Sequence, residues 1–192
     1  MMKFYRPLPI DEEIKVSSKE FIVSKTDEHG NILYANEFFS QVTGYEQSEV
    51  VGRPHNILRH PDMPSCIFFL MWQRIRNGQN ITAVVKNLAK SGKYYWVTTD
   101  FEIQRDLVSN NVNYIAFRRS ASKKVIETVT PLYATLLEIE KKHGLEASLV
   151  YLQGYLDERH TTFDDYMDSI VKPKGLIAML FNKMKKHFRQ AA

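Results

Sequence analysis

Gly52-Arg-Pro-His-Asn-Ile-Leu-Arg-His-Pro-Asp-Met-Pro64 packs three prolines, two histidines, two arginines and an aspartate into thirteen residues. Apolar side chains occur only at Ile57, Leu58 and Met63. Proline fixes φ and removes a backbone donor, so neither a long helix nor a central strand can run through this stretch. It reads as a tightly specified connection whose polar groups can converge on a ligand, and such loops carry function more often than packing. Ser65 follows as the expected cap of a longer helix. Ile67, Phe68, Met71, Trp72 and Ile75 share one face of that helix, and Asn77-Gly78 stops it.

Upstream, Glu20 to Lys25 is a short β-branched and aromatic run, and Ile32 to Ala35 is another. Asp27-Glu-His-Gly30-Asn31 between them has turn chemistry, so the pair predicts a hairpin. Asn36 then caps a short helix with Phe38, Phe39 and Val42 at helical spacing, closed by Gly44, and Ser48 to Gly52 is one further helical turn. Downstream of the loop and its helix come three strand-like runs, Ile81 to Ala89, Tyr94 to Gln104 and Val112 to Arg119. Lys90-Ser-Gly-Lys93 is a hairpin turn, and Asp106 to Asn111 a polar loop. The order predicts an α+β layer in which one antiparallel sheet is covered on one face by helices.

The 192 residues suit one ordinary domain with extensions, and 44% hydrophobic with 25% charged residues is a globular balance. A single cysteine, Cys66, excludes an intramolecular disulfide and a cysteine-based metal site. No apolar run reaches the length of a membrane span and Met1 to Pro9 has no apolar signal core, so a cytoplasmic protein is expected. The net charge of +4 is uneven, because Lys172 to Arg189 holds six cations and no acid. No recognition-helix or aromatic-platform pattern accompanies this charge, so nucleic acid is not an expected partner. A Gly-rich phosphate loop, a metal-ligand helix pair and a nucleophile–base constellation are all missing, and no enzymatic activity is expected.

Tyr34-Ala-Asn36-x-x-Phe39-x-x-Val42-Thr-Gly44-Tyr45, the Gly52–Pro64 loop, Phe68, Trp72, Val85-Lys86-Asn87 and Gly92-x-x-Tyr95-Trp96-Val97 resemble a PAS sensor domain. More narrowly they resemble the PAS domain of bacterial aerotaxis and energy-taxis receptors, and Pro-His-Asn-x-x-Arg-His-Pro-Asp-Met-Pro is the specific part. The resemblance covers roughly residues 20–120. It implies the PAS fold, a five-stranded antiparallel sheet with helices on one face, between a leader (1–19) and a helical C-terminal output region (121–192). It also implies FAD between sheet and helices, and a redox signal passed to a membrane-bound, chemoreceptor-like partner. Asn36, Arg59, His60, Asp62 and Asn87 are the positions it implicates in flavin binding. Ile81 stands where the family has a tryptophan that helps house the flavin; isoleucine can pack against a ring but cannot stack as an aromatic. Trp72 and Trp96 each have two readings, core residue and ring contact, with core the weightier.

Physically, a flavin needs an apolar slot, hydrogen-bond partners for the polar edge of its ring, and cations for its pyrophosphate. Alternation places Ala83, Val85 and Asn87 on one face of their strand, and Tyr94, Trp96, Thr98 and Asp100 together on the next. Arg59 and His60 can meet phosphate. Haem b is the alternative cofactor, with His55 or His60 as its iron ligand in a gas or oxygen sensor. A cofactor-free interaction module is the third option.

From Ser122 onward the chain is helical, with Val125, Val129, Leu132, Leu136 and Ile139 in a stripe. Pro131 predicts a kink or boundary just before it, and His143-Gly144 an end. Glu138 and Glu140 read as solvated acids. Residues 146–158 and 162–170 are two further short helices, and residues 175–189 a basic amphipathic one. That last helix can dock on its own domain, an acidic partner or an anionic membrane surface, and a homodimer is a further option.

Overall fold

The computed structural model describes residues 6–105 and 111–171, together with Lys183. Five strands, β1 (Ile22–Thr26), β2 (Ile32–Ala35), β3 (Ile81–Leu88), β4 (Tyr94–Arg105) and β5 (Val112–Ser120), form one sheet in the order β2-β1-β5-β4-β3. Every neighbouring pair is antiparallel. The expected hairpin of β1 and β2 and the meander of β3, β4 and β5 both form. Pairing β5 with β1 joins these two units.

That order leaves β2 and β3 at opposite edges, so the chain between them has to cross the sheet. It does so through α1 (Glu37–Thr43), α2 (Gln47–Val50), a 3₁₀ turn (His55–Leu58) and α3 (Ser65–Arg76). Asn36 caps α1, its Oδ1 accepting from Phe39 N at 3.0 Å. It also ties the helix to the sheet, accepting from Val23 N and donating to Phe21 O. Phe39, Val50, Ile57, Leu58, Met63 and Ile67 are buried beneath these crossing elements.

The C-terminal helices are α4 (Lys123–Asp157) and α5 (Phe163–Val171). Pro131 lies inside α4 without ending it; the backbone departs from helical values only at Gly144 (φ 85°, ψ 177°). Val129, Leu132, Tyr133 and Leu136 are buried on both sides of the proline, and this packing holds the helix through it. These helices reach the face opposite the crossing segment. Trp96 stacks on Tyr133 at 6.5 Å between ring centroids, and Arg119 donates to Val171 O. Helices on one face therefore describes the part from β1 to β5, while the C-terminal extension takes the second face. Among the described residues, no helix is long and apolar enough to cross a membrane. The basic helix expected over 175–189 lies outside the described residues, save Lys183.

Two joints secure the extension. Strand β3 is an edge strand, and unpaired edges invite association. Here Val84 O accepts from the Tyr133 hydroxyl at 2.8 Å, Lys86 N approaches Met63 Sδ at 3.3 Å, and Asn87 bridges to Arg59. The second joint corrects two sequence expectations. Ser65 does not cap α3; Pro64 occupies the cap position, and its side chain makes no cap hydrogen bond. The orphan donors of Ser65 and Cys66 go instead to the Glu140 carboxylate, each at 2.7 Å, and the Ser148 hydroxyl adds a third bond. Glu140 is thus a long-range cap, while Glu138 stays exposed as expected.

Burial pushes the Glu140 carboxyl up, but those donors outweigh it and hold its pKa below the ordinary 4.5. Its stabilisation is therefore present above about pH 4.5 and is lost as pH falls through the depressed value. Glu140→Gln should lower the unfolding free energy at pH 7 by about 1–2 kcal/mol, the lower part of the range for charge-assisted bonds, because the group is half-exposed. Urea titrations of parent and variant at stepped pH check this. Their midpoints should converge in acid.

Candidate functional site

The Gly52–Pro64 loop is anchored at both edges of the sheet. At the β2 edge, Gly52 N donates to Ile32 O, Ile32 N to Arg53 O, and His55 N to Gly30 O. At the β3 edge, Arg59 bridges to Asn87. With α3, the loop roofs a cavity of about 350 Å³ above the sheet, within the usual range for small-molecule sites.

One wall depends on the turn between β1 and β2. The Asp27 carboxylate accepts from the backbone N–H of His29 and Asn31 and from Asn31 Nδ2, which fixes a turn with Gly30 at φ +85°. The Trp72 indole lies over that glycine, where a Cβ would come within 2.6 Å of it. Trp72 packs edge-on against Tyr114 at 5.9 Å, and Phe68, Ile75 and Val85 complete an apolar slot.

The sheet supplies a polar floor. Thr99 and Arg118 are cross-strand partners there, and Ser24, Asn87 and His55 border them. Arg118 is only 2% exposed; its Nη1 donates to Ser24 Oγ at 2.9 Å, and its Nη2 lies 2.8 Å from His55 Nε2. A guanidinium only donates, so His55 Nε2 accepts and the ring carries its proton on Nδ1. Burial, then Arg118, pushes the His55 pKa well below 6.5, which keeps that ring neutral. Burial also lowers the Arg118 guanidinium to about 10, so it stays charged at neutral pH. The Thr99 hydroxyl is buried without a partner. Among the described residues, three arginines, Arg59, Arg76 and Arg118, line the cavity, and no aspartate or glutamate does.

Of the residues singled out from the sequence, Arg59, Asn87 and His55 line this cavity. Arg59 Nη2 donates to Met63 O at 3.0 Å and Ser65 Oγ at 2.8 Å, with the guanidinium 4.7 Å from the Phe68 ring centroid. The remaining five lie outside the lining. Asn36 ties α1 to β1. His60 is buried, its Nδ1 accepting from Asp62 N at 3.1 Å and its ring set edge-on to Tyr94. Burial and Lys86 lower its pKa, with Asp62 acting the other way. Asp62 pairs with Lys86 at 2.7 Å, and this bond outweighs burial to lower its pKa. Ile81 sits near the start of β3, beside a second, smaller hollow. Trp96 pairs with Lys86, whereas Asn87 pairs with Tyr95, so Trp96 faces away from the cavity. Arg118 and Thr99 escaped the sequence reading, and Trp72, open there between core and ring contact, lines the cavity. A charged residue at an inward position of a strand, two after Ala116, was the available signal for Arg118.

Residues 32–118 match the family model for the PAS fold, and this part of the chain is a PAS domain. Over 152 residues the chain is 32% identical to the aerotaxis receptor of Escherichia coli (strain K12), a match covering 78% of this chain and 29% of the receptor. The biofilm dispersion protein BdlA of Pseudomonas aeruginosa is 31% identical over 81 residues, covering 42% and 19%. Among solved structures, a light-oxygen-voltage domain studied with a flavin analogue aligns with a TM-score of 0.48 at 26% identity, covering 64% of this chain and 85% of that one. The chain is related to aerotaxis receptors and other signalling proteins, and it spans less than a third of the length of these two curated relatives.

The Gly30 contact makes a sharp test of the wall. Gly30→Ala should cost about 2–4 kcal/mol, combining positive-φ strain with displacement of Trp72. Gly78 has a similar φ (+78°) with nothing near its Cβ position, so Gly78→Ala should cost only about 1 kcal/mol. Only the first should shift tryptophan fluorescence, read alongside the denaturation midpoint.

Proposed function

We propose that this chain is a redox sensor that holds FAD in the cavity and signals to a membrane-bound, chemoreceptor-like partner. The observation that carries the reading is the cavity's composition: an apolar slot between Phe68, Trp72, Ile75 and Val85, with cations around it and no acid among the described residues of its lining. Such a slot suits a flat ring attached to phosphates. When bound, FAD supplies a ring that takes up and returns electrons. Asn87 meets the polar edge of that ring, and Arg59 the pyrophosphate. Asn36, His60 and Asp62 act by positioning: Asn36 braces α1, while His60 and the Asp62–Lys86 pair pin the loop to β3. Ile81 and Trp96 form no part of the proposed site.

Haem has less support. Nε2 of His55 is engaged by Arg118 and Ser24, and Nδ1 of His60 by Asp62 N. Both imidazoles serve local structure already.

The route outward follows hydrogen bonds. Arg59 holds Ser65 Oγ, and the backbone N–H groups of Ser65 and Cys66 hold Glu140 on α4. A phosphate at Arg59 competes for the guanidinium that braces Ser65, so ligand state biases how firmly α4 docks. The two redox forms must bind the two packings unequally for this to signal.

Denaturing the purified protein should release FAD, and stripped protein should take it up again. A protein that neither releases nor accepts flavin is instead the cofactor-free interaction module, and a strong Soret band would indicate haem. Arg59→Ala should weaken FAD by roughly 10- to 150-fold, the loss of a charge-assisted contact, with the fold retained by circular dichroism. Hydrogen exchange on oxidised and dithionite-reduced protein should differ in residues 122–143 and in β4. Identical exchange with the flavin reduced removes the signalling claim.

A further inference from the structure

Arg118 is a charge the fold has taken out of water, and its contacts among the described residues include no counter-charge. Its described contacts are the Ser24 hydroxyl, a long 3.4 Å approach to Ala116 O, and the neutral His55 ring. None of these is an anion. Removing a cation from water costs several kcal/mol unless something of opposite polarity meets it. A guanidinium has five N–H donors, and these contacts occupy three. The side chain lines the cavity, as does Thr99 directly across the strand pair, whose buried hydroxyl has no partner. A structural brace between β1, β5 and the loop would need neither the charge nor the orphan hydroxyl beside it.

We infer that Arg118 and Thr99 form the cavity's deep subsite, which takes the hydrogen-bond-accepting edge of the bound ring and selects ligands carrying carbonyl or anionic oxygen there. The subsite differs from the rim in what it reads. Arg59 adjoins the loop and α3, where a phosphate can reach it. Arg118 sits on the sheet beneath the ring slot, so its contact belongs to the ring alone. Ser24 and His55 aim the guanidinium, and His55, held neutral, does so without adding a second charge. The subsite rests on the reading of the cavity as a flavin site, and a flavin without phosphate separates the two.

The experiment is a fluorescence titration of the flavin-stripped full chain with FAD and with riboflavin, for the parent, Arg118→Gln, Arg118→Lys and Arg59→Ala. Arg118→Gln should weaken both flavins by the same factor, roughly tenfold or more, because the ring is common to them. Arg59→Ala should weaken FAD and leave riboflavin nearly unchanged. Arg118→Lys keeps the charge without the fork; it should lose less affinity and shift the absorption maximum of bound flavin. That spectral shift also carries the test if the glutamine variant does not fold. Parent that binds both flavins while the Arg118 variants match it in affinity and spectrum overturns the deep subsite and leaves the flavin reading standing. Parent that binds neither flavin overturns both.

Discussion

The Glu140 carboxylate, set against the first two donors of α3, is the constraint on which the arrangement of this chain depends. A helix that begins after proline has no side chain of its own to accept from its leading N–H groups. Such donors must find water or a borrowed acceptor. An acceptor borrowed from a residue 74 positions along the chain commits α4 to the same place. Because α3 is also the cavity wall, through Phe68, Trp72 and Ile75, the position of that wall and the docking of the C-terminal helices become one property. Ser148 bonds the same carboxylate from beyond the break at Gly144, so both halves of α4 are held at this point.

The second constraint is the open edge of β3. The sheet order puts it far from β2, and nothing in the sheet itself closes it. Three unlike groups do so: a tyrosine hydroxyl from α4, a methionine sulfur from the loop, and the backbone of Arg59. The loop therefore closes the edge and roofs the cavity at once. This explains its density of prolines better than ligand contact does, since a segment spanning two sheet edges needs its path fixed.

Legibility in the sequence follows the range of the interactions concerned. The strands and the β1–β2 hairpin were readable because alternation and turn chemistry are local, and Asn36 because a cap acts within three residues. Glu140 was unreadable as a cap, since its partners lie far along the chain and its neighbours look like any solvated helix face. Pro131 misled because proline lowers helix propensity, yet Tyr133 and its buried neighbours supply packing that outweighs the loss. The site was half legible. Arg59 and Asn87 were found through motif and parity. Trp96 was left open between core and ring contact, and only the pairing decides: Asn87 opposes Tyr95, so Trp96, beside Lys86, lies on the other face. Arg118 was passed over because Phe-Arg-Arg at a strand end looks like exit into solvent, and only the pairing with Thr99 reveals which arginine turns inward.

Those two adjacent arginines show how the sheet divides its labour. Arg118 points to the cavity and Arg119 to the opposite face, where it reaches the last residue of α5. One strand thus carries a guanidinium toward the cavity and another toward the C-terminal helices, on successive residues. The cavity floor and the anchor of α5 are therefore consecutive residues of one backbone. The Arg59–Ser65–Glu140 chain links the same two regions around the β3 edge. Two connections, one through the sheet and one around it, thus run between the cavity and the C-terminal helices.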